Sequence, residues 1–140
     1  MELAPIVARL ESQLSGFKKI GGAADLEAIG NGVVPTPSCY VVMTRETASD
    51  IDLVGGYEQA ITVGFGVVIA VANRFDATGG AAIDVLDALR KQIKAALNRW
   101  VPDPTNGEVV RFDGGALVRF DDGLLWWLDE YHVLTYERIL

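Results

Sequence analysis

Residues 61–72 alternate with a period of two. Ile61, Val63, Phe65, Val67, Ile69 and Val71 are all large and apolar, whereas Thr62, Gly64, Gly66, Val68, Ala70 and Ala72 are mostly small. Successive side chains of a strand point to opposite faces, so this segment predicts a strand with one bulky face and one face that something else can approach closely. A packed helix or a neighbouring subunit would fit the small face. The same stretch is the longest mostly apolar run without a charge, and it falls well short of the ~20 residues that a membrane helix requires.

The rest of the chain must cover the bulky face. Ala4 to Leu14 places Ile6, Val7, Leu10 and Leu14 at helical spacing, with Pro5 where a first turn tolerates it, and Gly16 ends the helix. Asp25 to Ile29 is a second, short helix bracketed by glycines, and Pro35 and Pro37 then force extended backbone into a strand at Cys39 to Met43. Thr44 to Gly56 turns polar, with Arg45, Glu46, Asp50 and Asp52, and predicts a long loop of the kind that is functional or mobile. The clearest helix is Ala81 to Trp100, whose stripe of Ala82, Leu86, Leu89, Ile93, Ala96, Leu97 and Trp100 recurs every three or four residues. Beyond Pro104, Asn106-Gly107, Asp113-Gly114-Gly115 and Asp121-Asp122-Gly123 read as turns separating strands at Glu108 to Phe112, Ala116 to Phe120, and Leu124 to about Glu137. The expected order is ααββαβββ. It makes one α+β domain over residues 1–140, with a single mixed, mostly antiparallel sheet of about five strands and helices packed on it.

Composition narrows the function classes. The chain has 140 residues with 12 Lys+Arg against 19 Asp+Glu, a formal charge of −7, and half of its residues are apolar. A domain of this size buries roughly 68% of the surface its unfolded chain exposes and needs no disulfide or metal to hold a core. The acidic balance excludes a protein that grips DNA by neutralising phosphates. Glu2, Arg9 and Glu11 interrupt what would have to be the apolar stretch of a signal peptide, so a soluble, cytoplasmic protein without membrane contact is expected.

Catalytic constellations fail in turn. Gly64-Phe65-Gly66 lies inside a strand and lacks the third glycine and helix start of a dinucleotide site. One His and one Cys cannot build a structural zinc site, and Cys39, followed by Tyr40, Val41 and Val42, reads as a packed strand residue. The best acid–base or metal candidate is Asp121-Asp122 with Asp129-Glu130 and His132. However, the first pair suits a hairpin turn, and adjacent strand residues point to opposite faces. Trp126 and Trp127 are consecutive, so one ring can fill the sheet core while the other anchors a subunit interface.

Leu3 to Leu10, Gly21-Gly22-Ala23-Ala24-Asp25-Leu26, the strand from Ile61 to Val71, the helix from Ala82 to Trp100 and above all Phe120-Asp121-Asp122-Gly123-Leu124-Leu125-Trp126-Trp127-Leu128-Asp129-Glu130-Tyr131 resemble the tail terminator, or tail completion, proteins of long-tailed bacteriophages and prophages. The resemblance spans nearly the whole chain. It implies a virion structural protein, present in the host cytoplasm during assembly, that closes into a ring, a hexamer, at the head-proximal end of the tail tube. There it stops tube polymerisation and offers the surface to which the head attaches. The implied partners are copies of itself, the tail tube protein and a head–tail connector protein, with genomic DNA passing through unbound. It implies no enzyme activity, no cofactor and no catalytic or metal-binding residue. A neck or head–tail joining protein of the same assembly is the nearest alternative, and a small oligomeric ligand-binding or regulatory domain is the alternative of another class.

Ring closure needs two different patches of one subunit to meet. The polar residues Arg45, Glu46, Asp50 and Asp52, the flanking Tyr57 and Gln59, and Trp127 are the candidate contacts with neighbouring subunits or the tube, with the 44–56 segment becoming ordered on assembly.

Overall fold

The computed structural model describes residues 1–53, 56–73, 80–121 and 123–139. In chain order the elements are α1 (Ala4–Gln13), β1 (Lys19–Gly22), α2 (Ala23–Ile29), β2 (Ser38–Leu53), β3 (Gly56–Ala72), α3 (Gly80–Leu97), β4 (Arg111–Asp121) and β5 (Leu124–Ile139). They form the expected α+β domain around one sheet of order β1-β2-β3-β5-β4. Only β1 and β2 run parallel; the other neighbours are antiparallel.

The alternating segment is the central strand, β3. Its large residues Ile61, Val63, Phe65, Val67, Ile69 and Val71 are all buried, against Ile6 and Leu10 of α1 and the predicted stripe of α3. Fully burying such a side chain contributes about 1.5–3 kcal/mol, so this apolar layer outweighs surface ion pairs worth at most about 1 kcal/mol each. The two helices also meet each other, because Arg9 donates from Nε to the Ala96 carbonyl at 3.0 Å and lies 5.3 Å above the Trp100 ring.

Several boundaries differ from the sequence expectation. Where it is described, the expected loop at 44–56 is strand, with residues 54–55 outside the described part: β2 continues to Leu53 and pairs with β3 from Arg45↔Gly64 through Leu53↔Gly56. Polarity is the wrong guide here, since Thr44 to Asp50 are exposed to solvent while their backbone is held in the ladder. A bulge at Thr44, between Met43 and Arg45, marks where the strand leaves the covered core. Asp113-Gly114-Gly115 is likewise not a turn. It is a bulge within β4, so the two short strands expected on either side belong to one element. At Gly115 a Cβ would come 2.6 Å from Trp127 Nε1 and would also collide with the Asp129 carboxylate, so glycine there permits close packing rather than chain reversal. Val110, ahead of β4, instead exchanges backbone hydrogen bonds with Arg99 and Trp100.

The four-residue β1 was not foreseen. It pairs with Ser38–Val41, and Asp25 closes the following helix by accepting from the Gly22 N–H at 2.9 Å. That hydrogen bond, with Lys19 at 3.4 Å, holds the Asp25 carboxyl below its ordinary range. The last helix stops at Leu97 rather than Trp100, because Arg99 takes a positive φ of 67°.

Candidate assembly interface

The sheet has unlike faces. One carries α1 and α3; on the other, α2 covers only one end, where Leu26 and Ile29 pack against the cluster of Tyr40, Ala70 and Trp126. The small residues of β3 are explained partly within the sheet itself. A Cβ at Gly66 would lie 2.5 Å from Leu128 Cδ1, and one at Gly64 would lie 3.0 Å from Thr44 Oγ1, so neighbouring strands lean over this strip where a helix or second subunit was expected.

The polar end of the open face holds a cavity of about 450 Å3 lined by Thr44, Arg45, Thr62, Asp113, Glu130 and His132 among others. His132 Nδ1 lies 2.6 Å from Asp113 Oδ1, joining β5 to the bulge of β4. Asp129 and Glu130 do point to opposite faces. Glu130 is exposed and lines this cavity, while Asp129 is fully buried on the helix side. Asp129 accepts from Arg90 Nε and Nη2 at 2.9–3.0 Å and from Trp127 Nε1 at 2.8 Å. A carboxylate so held staples α3 to β5 and has no free edge for chemistry. Among the described residues, no group of three or more His, Cys, Asp or Glu side chains is placed to hold a metal ion. Nor is any described helix long and apolar enough to cross a membrane.

The sequence-predicted contact residues separate into two places. Arg45 and Glu46 sit on successive positions of β2 opposite Gly64 and Val63. Asp50 is opposite Gln59, whose Nε2 donates to it at 3.1 Å. Asp52 and Tyr57 are ladder partners whose side chains lie outside the described part of the structure. These six share the projecting hairpin of β2 and β3. Trp127 does not join them, because it pairs with Ile69, ten positions along β3 from Gln59, or about 33 Å at strand rise. Its ring is half-buried beneath the Arg90 guanidinium, 4.6 Å away.

Two surface features escaped the sequence. The outer edge of β4 exposes Leu117 (54%), Val118 (58%) and Phe120 (44%). Beside it, on the open face, an apolar groove of about 460 Å3 is lined by Leu26, Ile29, Val68, Val118, Trp126 and Leu128 among others. The Trp126 ring is 8% exposed, and its Nε1 finds no hydrogen-bond partner among the described residues. The pairing of Trp126 with small Ala70 across the ladder was the available signal, but only the placement of α2 and β4 turns it into a groove.

The sequence profile of the phage tail terminator protein family matches residues 1–138. The chain belongs to that family. It is therefore a viral tail protein and a structural component of the virion. Among solved structures, a chain from the virion of a native gene transfer agent particle shares the fold of this terminator, with a TM-score of 0.52 and 16% identity over 94% of this chain and 95% of that one. No curated protein sequence matches it.

Proposed function

We propose that this terminator assembles into a hexameric ring at the head-proximal end of the tail tube, where it stops tube polymerisation and presents the surface to which the head attaches. Its partners in this reading are its own copies, the tail tube protein and a head–tail connector protein. The observation that carries the reading, beside family membership, is that the sheet ends in two unlike open edges. β1 flanks β2 only along Ser38–Val41, leaving the outer side from Val42 to Leu53 without a strand neighbour among the described residues. That edge carries Arg45, Glu46, Asp50 and Asp52, whereas the β4 edge carries exposed Leu117, Val118 and Phe120. Long open edges invite pairing with another chain, and unlike edges favour a head-to-tail contact that closes as a ring rather than a two-fold dimer.

Six copies at −7 each carry 6 × −7 = −42 formally. A negative lumen lets DNA slide past without being gripped. A structural role of this kind involves no enzyme activity.

Light scattering over a concentration series, together with a tube-assembly assay, tests the reading. The expected result is a ring, or a monomer–ring equilibrium, that arrests growth of purified tail-tube protein. Arg45→Glu should weaken assembly while circular dichroism stays unchanged. A strict monomer that leaves tubes growing freely overturns the proposal.

A further inference from the structure

We propose that α2 and the turn after it, residues 23–34, form a strap that lifts off the sheet as a unit while the strands stay folded, and that its opening joins Tyr40 and Trp126 to the apolar groove beside it. None of the seven residues of α2 is buried. A helix this short has little stability of its own and depends on what it packs against. Its hold on the sheet is Leu26 and Ile29, with Val34 beyond the helix, each partly buried on the cluster of Tyr40, Ala70 and Trp126. Val33 between them stands 89% exposed.

Polar contacts add nothing across that seam. Among the described residues, no hydrogen bond or ion pair ties 23–34 to β2, β3 or β5. Asp25 binds the Gly22 N–H and the Lys19 ammonium of the adjoining β1, and the N–H groups of Gly30 and Gly32 donate to Glu27 and Ile29 within the segment. Gly30 leaves the helix at a φ of 51°, a conformation that glycine adopts without strain.

The floor beneath the strap is poorly matched to burial. Ser38, Ala70 and Trp126 occupy one cross-strand row, and Tyr40 lies two positions from Ser38 on the same face. Ser38 Oγ, the Tyr40 hydroxyl and Trp126 Nε1 are all buried without a hydrogen-bond partner among the described residues. Buried polar groups are ordinarily bonded, and one left alone favours the form in which water reaches it. Closure is therefore held by a few half-buried aliphatic side chains and opposed by polar atoms gathered under them. Segments of that kind open at a fraction of the free energy of global unfolding. Closed, the strap limits the apolar surface of the open face to the groove; lifted, it lays bare a strip running from Tyr40 across Ala70 to Trp126. It thus sets how much apolar sheet this face shows.

Two buried thiols on opposite faces of the sheet test this. Cys39 is fully buried against the helices, and Ala70, equally buried, lies under the strap. In Ala70→Cys, a thiol-specific reagent at mildly alkaline pH, with the modified peptides read by mass spectrometry, should label the new thiol roughly 100-fold faster than Cys39. In the unmodified chain, amides of 24–34 should exchange with deuterium roughly 100-fold faster than those of 61–71. Tyr40→Phe removes one orphaned hydroxyl while keeping the ring, and should slow exchange in 24–34 by about fivefold. A single labelling rate for both thiols, set by global unfolding, would overturn the proposal even if 24–34 exchanged fast, since α2 would then fray above a sheet that stays covered. Equal protection of 24–34 and 61–71 would overturn it too, as would exchange in 24–34 that ignores Tyr40→Phe.

Discussion

Replacing Arg90 by Met removes a buried countercharge while keeping an apolar stem that packs on Trp127. Asp129 is fully buried, so in the variant its carboxylate keeps only the Trp127 Nε1 hydrogen bond at 2.8 Å. Two unit charges about 4 Å apart at an effective dielectric constant of about 20 attract by about 4 kcal/mol, and breaking a buried pair by deleting one partner costs about 3–5 kcal/mol. For a domain near this size each kcal/mol moves the melting temperature by about 2–4 °C, so a fall of about 10 °C is expected. Asp129→Ala should be milder, at about 1–2 kcal/mol. It leaves Arg90 with side-chain exposure of 17% and with Asp87 4.0 Å away, so that guanidinium can turn to another carboxylate and to water. The double variant should then resemble Asp129→Ala alone, a strongly non-additive cycle. The assay is urea and thermal unfolding followed by circular dichroism at neutral pH, with protein concentration held constant because assembly adds apparent stability. A loss below about 1 kcal/mol for Arg90→Met, or a double variant equal to the sum of the singles, would refute the claim that this cluster is a buried, coupled staple.

Two further outcomes rest on burial. Desolvation pushes the Cys39 thiol up to about 12, so it should resist a thiol-specific disulfide reagent at mildly alkaline pH and react promptly once urea unfolds the chain; fast labelling of the folded protein would contradict its place in the core. The Tyr131 phenol is raised by burial and then by the Asp129 charge, and its hydroxyl has no hydrogen-bond partner among the described residues. Tyr131→Phe should therefore leave the urea midpoint unchanged or raise stability by up to about 1 kcal/mol, keeping the ring stacked on Phe65 at 5.4 Å. A clear loss of stability would mean that the hydroxyl is bonded after all.

The elements legible in the sequence are those whose signal is local. The period of two in 61–72, the helical stripe of 82–97 and the run of apolar residues at 39–43 each describe which face an element buries, and burial is what packing enforces. The candidate contact residues fall in two places on the sheet. Charged positions at 45–52 with Gln59 fall together on one hairpin, because a polar segment flanking a core strand is where a surface is built. Trp127 did not follow them, because its indole N–H is drawn to a buried carboxylate two residues on. That pairing depends on Arg90 arriving from α3, 39 positions away in the chain.

By itself the sequence determined the class of fold, the central strand, the helix faces and the net acidic charge, since each follows from side-chain periodicity or from a count of charges. Tertiary structure alone decided that a polar stretch is strand rather than loop, that Asp113 bulges within β4 where a turn was expected, and that an unsatisfied Trp126 opens onto a groove beside an exposed edge. Those outcomes turn on which distant backbone supplies each hydrogen bond and which side chain leans over each glycine. Such partners are chosen by packing across the sheet, and no local pattern records them.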